Sequence, residues 1–131
     1  METWKAVYKD LPQGYYFATL KNSYETGCVV ELESNTHRIS VDFGIQATVR
    51  MLDERILMSD VLYEEDAFEP LKKEQFKDLI YKVENGQLKK LVEVVSCGIY
   101  GEWQHYGIVT PDNVIEVVTQ CEPEVTVEEL A

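Results

Sequence analysis

Cys97 and His105 lie eight residues apart, the shortest separation between a cysteine and a histidine in the sequence. A thiol that passes its proton to a nearby imidazole is a nucleophile, and this chemistry also needs a third group that orients the base. No known signature surrounds the pair, and Cys97 falls where a predicted helix ends. We therefore expect two core or boundary residues. A small enzyme that uses Cys97 and His105 stays an alternative.

Neighbouring carboxylates are the second candidate for chemistry. Asp53–Glu54 and Glu64–Asp66 are runs of adjacent acids, and a pair of carboxylates is the machinery of acid–base catalysis on glycosides. Adjacent positions on a strand point to opposite faces, so neither run makes a good catalytic pair. Residues 60–66 also lack the alternating acids and central glycine of a calcium-binding loop. We expect no catalytic residue, no metal site and no cofactor.

The cysteines indicate a reducing environment. Cys28, Cys97 and Cys121 are odd in number and widely spaced, and no CxxC motif occurs. A disulfide framework or a structural zinc site needs paired or clustered ligands. Each cysteine lies in or beside an apolar run, where a reduced thiol acts as a small hydrophobic side chain. We therefore expect free thiols and a cytoplasmic location.

Charge excludes several classes of partner. The chain has 131 residues, with 24 acids against 12 lysines and arginines, and a net charge of −12. This length fits a single domain over residues 1–131. The charge argues against a nucleic-acid or anionic-membrane surface and permits a cationic partner. No apolar run is long enough to span a bilayer, and the first twelve residues lack the apolar region of a signal peptide.

The pattern of apolar residues predicts the first half of the fold. Apolar side chains recur at helical spacing from Trp4 to Leu11, which predicts a short helix over residues 3–11. The next segments favour an antiparallel meander with one solvated face. Residues 53–69 have no sustained period and are predicted to form a loop. The predicted strands of the meander cover residues 14–20, 27–32, 38–43 and 45–52.

The second half adds a strand, a helix and a hairpin. Residues 78–84 alternate as a strand does, and residues 87–97 place apolar side chains on one helical face. Residues 103–109 and 113–119 flank a proline-containing turn and predict a hairpin. Residues 124–131 are expected to form a frayed acidic tail. The fold class is α+β, with a mostly antiparallel sheet of six to seven strands, a short N-terminal helix and one amphipathic helix.

Two stretches carry the whole net charge. Residues 53–69 and 111–131 each have an excess of six acids. We expect folding to bring these stretches together as a surface that steers a basic protein partner into place. Aromatic side chains among the acids would act as anchors. The predicted partner-binding residues are Asp53, Glu54, Asp60, Tyr63, Glu64, Glu65, Asp66, Phe68, Glu69, Glu122 and Glu124.

This format resembles the small acidic immunity proteins of bacterial polymorphic-toxin and contact-dependent growth inhibition systems. The resemblance is one of format, namely an acidic, single-domain, cytoplasmic protein without a catalytic motif. The chain also resembles a group of small bacterial proteins in strand signatures at residues 41–44, 52–54, 81–85, 105–110 and 114–118. The resemblance to immunity proteins implies a cytoplasmic monomer that neutralises a cationic toxin domain of nuclease type by electrostatic and steric occlusion. A structural protein that dimerises through an exposed strand edge is a further alternative.

Overall fold

The structure, a computed structural model, describes residues 2–44, 48–53, 77–97 and 102–130. Within these residues it contains nine strands and one helix. The elements in chain order are β1 (Thr3–Val7), β2 (Phe17–Ser23), β3 (Gly27–Glu33), β4 (His37–Asp42), β5 (Thr48–Asp53), β6 (Ile80–Glu84), α1 (Gln87–Ser96), β7 (Gln104–Val109), β8 (Asn113–Thr119) and β9 (Glu124–Glu129).

The strands form two antiparallel sheets. One sheet has the order β1-β6-β7-β8-β5, and the other has the order β2-β3-β4-β9. The predicted antiparallel character is therefore confirmed, and so is the hairpin, which is β7–β8. The prediction of one sheet with six to seven strands is wrong, because nine strands divide between two sheets.

The core lies between the two sheets. Val30 and Ile39 from the four-stranded sheet pack in one buried cluster with Ile108 and Ile115 from the five-stranded sheet. Strand alternation explains the arrangement, since every second side chain faces the partner sheet. Each such fully buried side chain stabilises the fold by about 1.5–3 kcal/mol.

Helix α1 covers part of the outer side of the five-stranded sheet, and the predicted amphipathic helix is confirmed. Leu88 and Val92 pack with Trp103 and Val118 in a second buried cluster. The helix begins beside Glu2, whose Oε1 accepts a hydrogen bond of 2.9 Å from the backbone N–H of Gln87. A carboxylate at a helix N-terminus is favourable because it faces the positive end of the helix dipole.

The N-terminal helix predicted over residues 3–11 is wrong. Residues Thr3–Val7 form β1, which pairs with β6 in a register that places Trp4 beside Val83. The apolar residues of this segment fit a helical period, but a two-turn helix is marginal on its own. Pairing with β6 satisfies the backbone instead, and it lays the Trp4 indole over Gly107.

Two further expectations are corrected by long-range pairing. The predicted meander has four strands, whereas the observed one consists of β2, β3 and β4. The fourth strand, β5, pairs with β8 in the other sheet. The expected frayed tail forms β9, which pairs with β4 along its whole length, while Val125 packs against the core. Most of the predicted loop over residues 53–69 lies outside the described residues; Asp53 is the last residue of β5.

Candidate functional site

Three of the eleven predicted partner-binding residues lie in the described part of the chain. Asp53, Glu122 and Glu124 are all exposed. Asp53 pairs in register with Asn113, the first residue of β8, whereas Glu122 and Glu124 follow the end of that strand. A seven-residue strand is about 20 Å long. Asp53 therefore lies at the opposite end of β8 from Glu122 and Glu124, whereas Asp112 of the second acidic stretch directly precedes Asn113 and lies near Asp53.

The remaining eight predicted residues lie outside the described ranges. Their sequence positions are Glu54, Asp60, Tyr63, Glu64, Glu65, Asp66, Phe68 and Glu69. Their contribution to partner binding stays a prediction.

Acids do converge on the outer side of the four-stranded sheet. Val30, Leu32, Ile39 and Val41 face the core, so the alternate side chains of the same strands face solvent. The strand registers place these outward side chains in rows across β2, β3, β4 and β9. We call this surface the acidic sheet face, and its charged members are Glu31, Glu33, Asp42, Glu124, Glu128, Lys21 and Arg38.

The acidic sheet face has five carboxylates against two cations, an excess of three negative charges. Lys21 pairs with Glu31 at 2.9 Å. Arg38 contacts Glu33 at 2.8 Å and Glu128 at 3.5 Å, and the hydrogen bond and charge of Glu33 raise the pKa of the Arg38 guanidinium. These side chains are between 33% and 65% exposed, and ion pairs this open to water add little to stability. Their charge thus remains available to a partner.

Two exposed aromatic rings border this face. Tyr15 and Phe17 are 58% and 59% exposed, and their ring centroids lie 5.3 Å apart in an edge-to-face arrangement. Phe17 pairs in register with Glu33. This pair was not among the predicted partner-binding residues. Its outward orientation follows from the burial of Tyr16 between the two rings, because alternation turns the neighbours of a buried residue outward.

The outer side of the five-stranded sheet contrasts with the acidic sheet face, because its charges are buried. Glu116 is fully buried in β8; its Oε1 lies 2.8 Å from His105 Nε2, and its Oε2 accepts a hydrogen bond of 2.9 Å from Arg50 Nε. His105 is 1% exposed, and its Nδ1 lacks a hydrogen-bond partner within the described part of the chain. Gly86 lies against this atom, at the start of α1.

The structure does not bring Cys97 and His105 together. His105 lies beside Gly86 at the start of α1, whereas Cys97 follows the end of this helix. Ten helical residues span about 15 Å. The two side chains on which the alternative of a small enzyme depends are therefore far apart. His105 does line an open depression of about 450 Å³ where the β6–β7 pairing ends, but its side chain is buried in the wall.

Cys28, Cys97 and Cys121 are all free thiols; Cys28 is buried and the other two are exposed. Among the described residues, no cluster of three or more histidine, cysteine, aspartate or glutamate side chains is arranged to hold a metal ion. In that same part of the chain, no helix has the length and apolar character that crossing a membrane requires.

No protein-family model matches the chain, and neither a curated protein nor a solved structure is similar to it. Two features distinguish the surface of the four-stranded sheet: an excess of carboxylates on its outer face, and an exposed aromatic pair at the border of that face.

Proposed function

We propose that this chain is an immunity-type binding protein that neutralises a cationic toxin domain of nuclease class. The acidic sheet face is the observation that supports this proposal. Nuclease domains bind phosphates through lysine and arginine side chains, and a carboxylate surface is complementary to such a site. Binding occludes the cationic surface, and no catalytic step or cofactor takes part.

The arrangement of charge favours a soluble protein partner over the competing ligands. A net charge of −12 repels polyanions such as nucleic acids, and it also opposes self-association of the acidic sheet face. The two exposed cations of the face, Lys21 and Arg38, are already paired with carboxylates of the same face. A basic surface would therefore meet an excess of negative charge over the whole face.

The long-range electrostatic field accounts for how such a protein captures its target quickly. Complementary charge raises association rates by about 10- to 1,000-fold, and salt removes much of this gain. Neutralisation of a toxin needs rapid capture, so charge on an open face is useful there even where it adds nothing to stability. The predicted acids at positions 54–69 belong to the same proposal and would extend the negative field.

Co-expression tests the proposal. The chain is produced together with a toxin domain encoded immediately upstream of it, and growth and complex formation are measured. We expect growth to be rescued and the complex to associate more slowly as ionic strength rises. Continued killing by the toxin domain, together with no complex at low salt, would contradict the proposed function.

A matched pair of variants locates the surface. The face variant carries Glu31→Gln, Glu33→Gln, Asp42→Asn, Glu124→Gln and Glu128→Gln. The control variant changes five exposed acids away from the face, namely Asp10→Asn, Glu84→Gln, Glu93→Gln, Glu102→Gln and Asp112→Asn. Both remove the same net charge. We expect the face variant to associate about tenfold more slowly than the control at low salt.

A further inference from the structure

We infer that the free edge of β2 and the aromatic pair Tyr15–Phe17 together dock an extended, arginine- or lysine-bearing segment of the partner protein. The segment adds to the four-stranded sheet as a further strand beside β2. One of its cationic side chains lies on the aromatic pair, next to Glu33. This inference rests on the proposed function and specifies how the cationic partner is held.

The first support is the exposed edge. β2 pairs with β3 through all seven of its residues, and no described strand pairs with its other side. Edge strands present unpaired backbone groups that accept an added strand. β2 is the longest of the four edge strands in the described ranges, and Lys21 is its one charged residue.

The opposite edge of the same sheet differs in the expected way. β9 carries Glu124, Glu128 and Glu129. Charged side chains on an edge strand discourage pairing with other chains. Within this sheet, therefore, β9 has the chemistry of a protected edge and β2 has the chemistry of an open one.

The second support is the aromatic pair. The electron-rich face of an aromatic ring attracts a guanidinium or ammonium group. Phe17 lies beside Glu33 in the register, so a cation on the ring also reaches a carboxylate. Arg38 contacts both Glu33 and Glu128. If a partner cation forms an ion pair with Glu33, Arg38 retains its ion pair with Glu128.

Charge complementarity selects the occupant. Pairing of two copies through β2 would join two acidic sheet faces into one continuous sheet, each face with three excess negative charges. Like charges across such an interface are unfavourable. A cationic strand from another protein gains from the same field, so it is the occupant to which the geometry points.

Peptide titration tests the docking mode. The probe is a blocked peptide in which arginine and valine alternate. It has about eight residues, a length within the usual range of strands. Two controls have the same length: one contains a central proline, and one replaces arginine with glutamate. Binding to the isotope-labelled full chain is followed by amide chemical shifts and hydrogen exchange.

We expect the arginine–valine peptide to shift and protect the amides of Phe17–Ser23. The proline-containing peptide should bind about tenfold more weakly, because proline removes a backbone donor and breaks strand pairing. The glutamate peptide should not bind. Equal binding of the proline-containing peptide, or shifts confined to β9, would overturn the inference, as would a dimer whose β2 amides are protected without any peptide.

Side-chain variants test the aromatic pair. Tyr15→Ala combined with Phe17→Ala should weaken peptide binding about fivefold, which is the size of an exposed cation–π interaction. Tyr24→Ala is the matched control, because Tyr24 is 97% exposed and lies in the turn after the far end of β2. Equal effects of the two changes would remove the aromatic pair from the docking site.

The same variants separate this inference from the proposed function. If the unaltered chain rescues growth and the Tyr15→Ala, Phe17→Ala variant rescues equally at every toxin dose, the docking mode is wrong while the proposed function stands. If the unaltered chain fails to rescue, the proposed function is wrong, whatever the peptides do.

Discussion

The outer sides of the two sheets use charge in opposite ways. On the five-stranded sheet, Glu116 is fully buried between Arg50 and His105, next to a surface covered by α1 and by the Trp4 indole. On the four-stranded sheet, the carboxylates and their two cations stand in solvent. A buried ion that loses its partner is costly, whereas an exposed one is solvated by water. The first side therefore stabilises the fold, whereas the charges of the second add little to stability.

The largest expected effect comes from breaking the buried cluster. Glu116→Ala leaves Arg50 and His105 without their shared carboxylate, and we expect a loss of about 3–5 kcal/mol in the free energy of unfolding. Urea denaturation measures it. Glu116→Gln keeps the volume and isolates the contribution of the charge. Glu128→Ala, on the acidic sheet face, is the control and should leave the midpoint unchanged. A similar midpoint for both alanine variants would abolish the contrast between the two sides.

Close packing on the covered side gives the next effect. A Cβ atom added at Gly107 would lie 1.9 Å from Cζ3 of Trp4, so Gly107→Ala forces the indole to move. We expect a loss of about 1–3 kcal/mol, the usual cost of overpacking. At Gly14 the nearest atom is 3.3 Å away, in Ser34, and Gly14→Ala is the matched control.

The smaller side chain in a Trp4→Leu background should reduce the cost of Gly107→Ala, because the clash is with the indole. Thermal or urea unfolding of the four chains of this double-mutant cycle measures the coupling. If the two changes are additive, the contact between Trp4 and Gly107 does not limit packing there.

A smaller, pH-dependent effect comes from the core that both sheets share. Burial, with the charge of Asp42 as a second cause, raises the pKa of the Cys28 thiol to about 11 from an ordinary value of 9.0. The unfolded chain therefore loses this proton at lower pH than the folded chain. The contribution of the Cys28 thiol to the free energy of unfolding is complete below pH 9 and is lost as the pH rises towards 11.

Cys28→Ala should reduce the fall in stability between pH 9 and 11, by at most the slope of one proton. Cys97→Ala changes an exposed thiol and is the control. Burial raises the pKa of Tyr106 to about 12, so this residue causes a further loss of stability at higher pH in both variants. Urea denaturation at several alkaline pH values measures the slopes, and equal slopes for the two variants would contradict the assignment to Cys28.

Local patterns predicted the elements whose side chains alternate clearly. The run around Ile39 alternates as a strand does, the apolar run around Ile115 follows a turn signal, and the apolar face of α1 repeats at helical spacing. The remaining elements depend on pairing between segments that are far apart in the sequence. Trp4 fits a helix until β6 is available as a partner, and the acidic segment 124–129 becomes a strand because β4 offers an edge.

The candidate site also depends on pairing between distant segments. The excess of acids is visible in the sequence, but the rows that join Asp42 to Glu124 and Glu33 to Arg38 depend on which strands become neighbours. The predicted surface combines acids from two continuous stretches of the sequence, whereas the acidic sheet face combines alternate residues from four paired strands. The outward Tyr15–Phe17 pair required knowledge of the buried face, which Tyr16 supplies only after folding.

The smallest expected effect on stability comes from Arg38 of the acidic sheet face. Arg38→Gln removes one of the two cations of the acidic sheet face, and its partners Glu33 and Glu128 remain in solvent. We expect the thermal midpoint to stay unchanged, because an exposed ion pair contributes little. The face becomes more negative, so association with a cationic partner should become faster at low salt, and the gain should vanish at high salt. Arg50→Gln in the buried cluster should do the reverse: it lowers the midpoint because Glu116 is left without its guanidinium, and it leaves the salt dependence of association as it was. A loss of stability in Arg38→Gln as large as that in Arg50→Gln would mean that the open face also holds the fold and is not reserved for a partner.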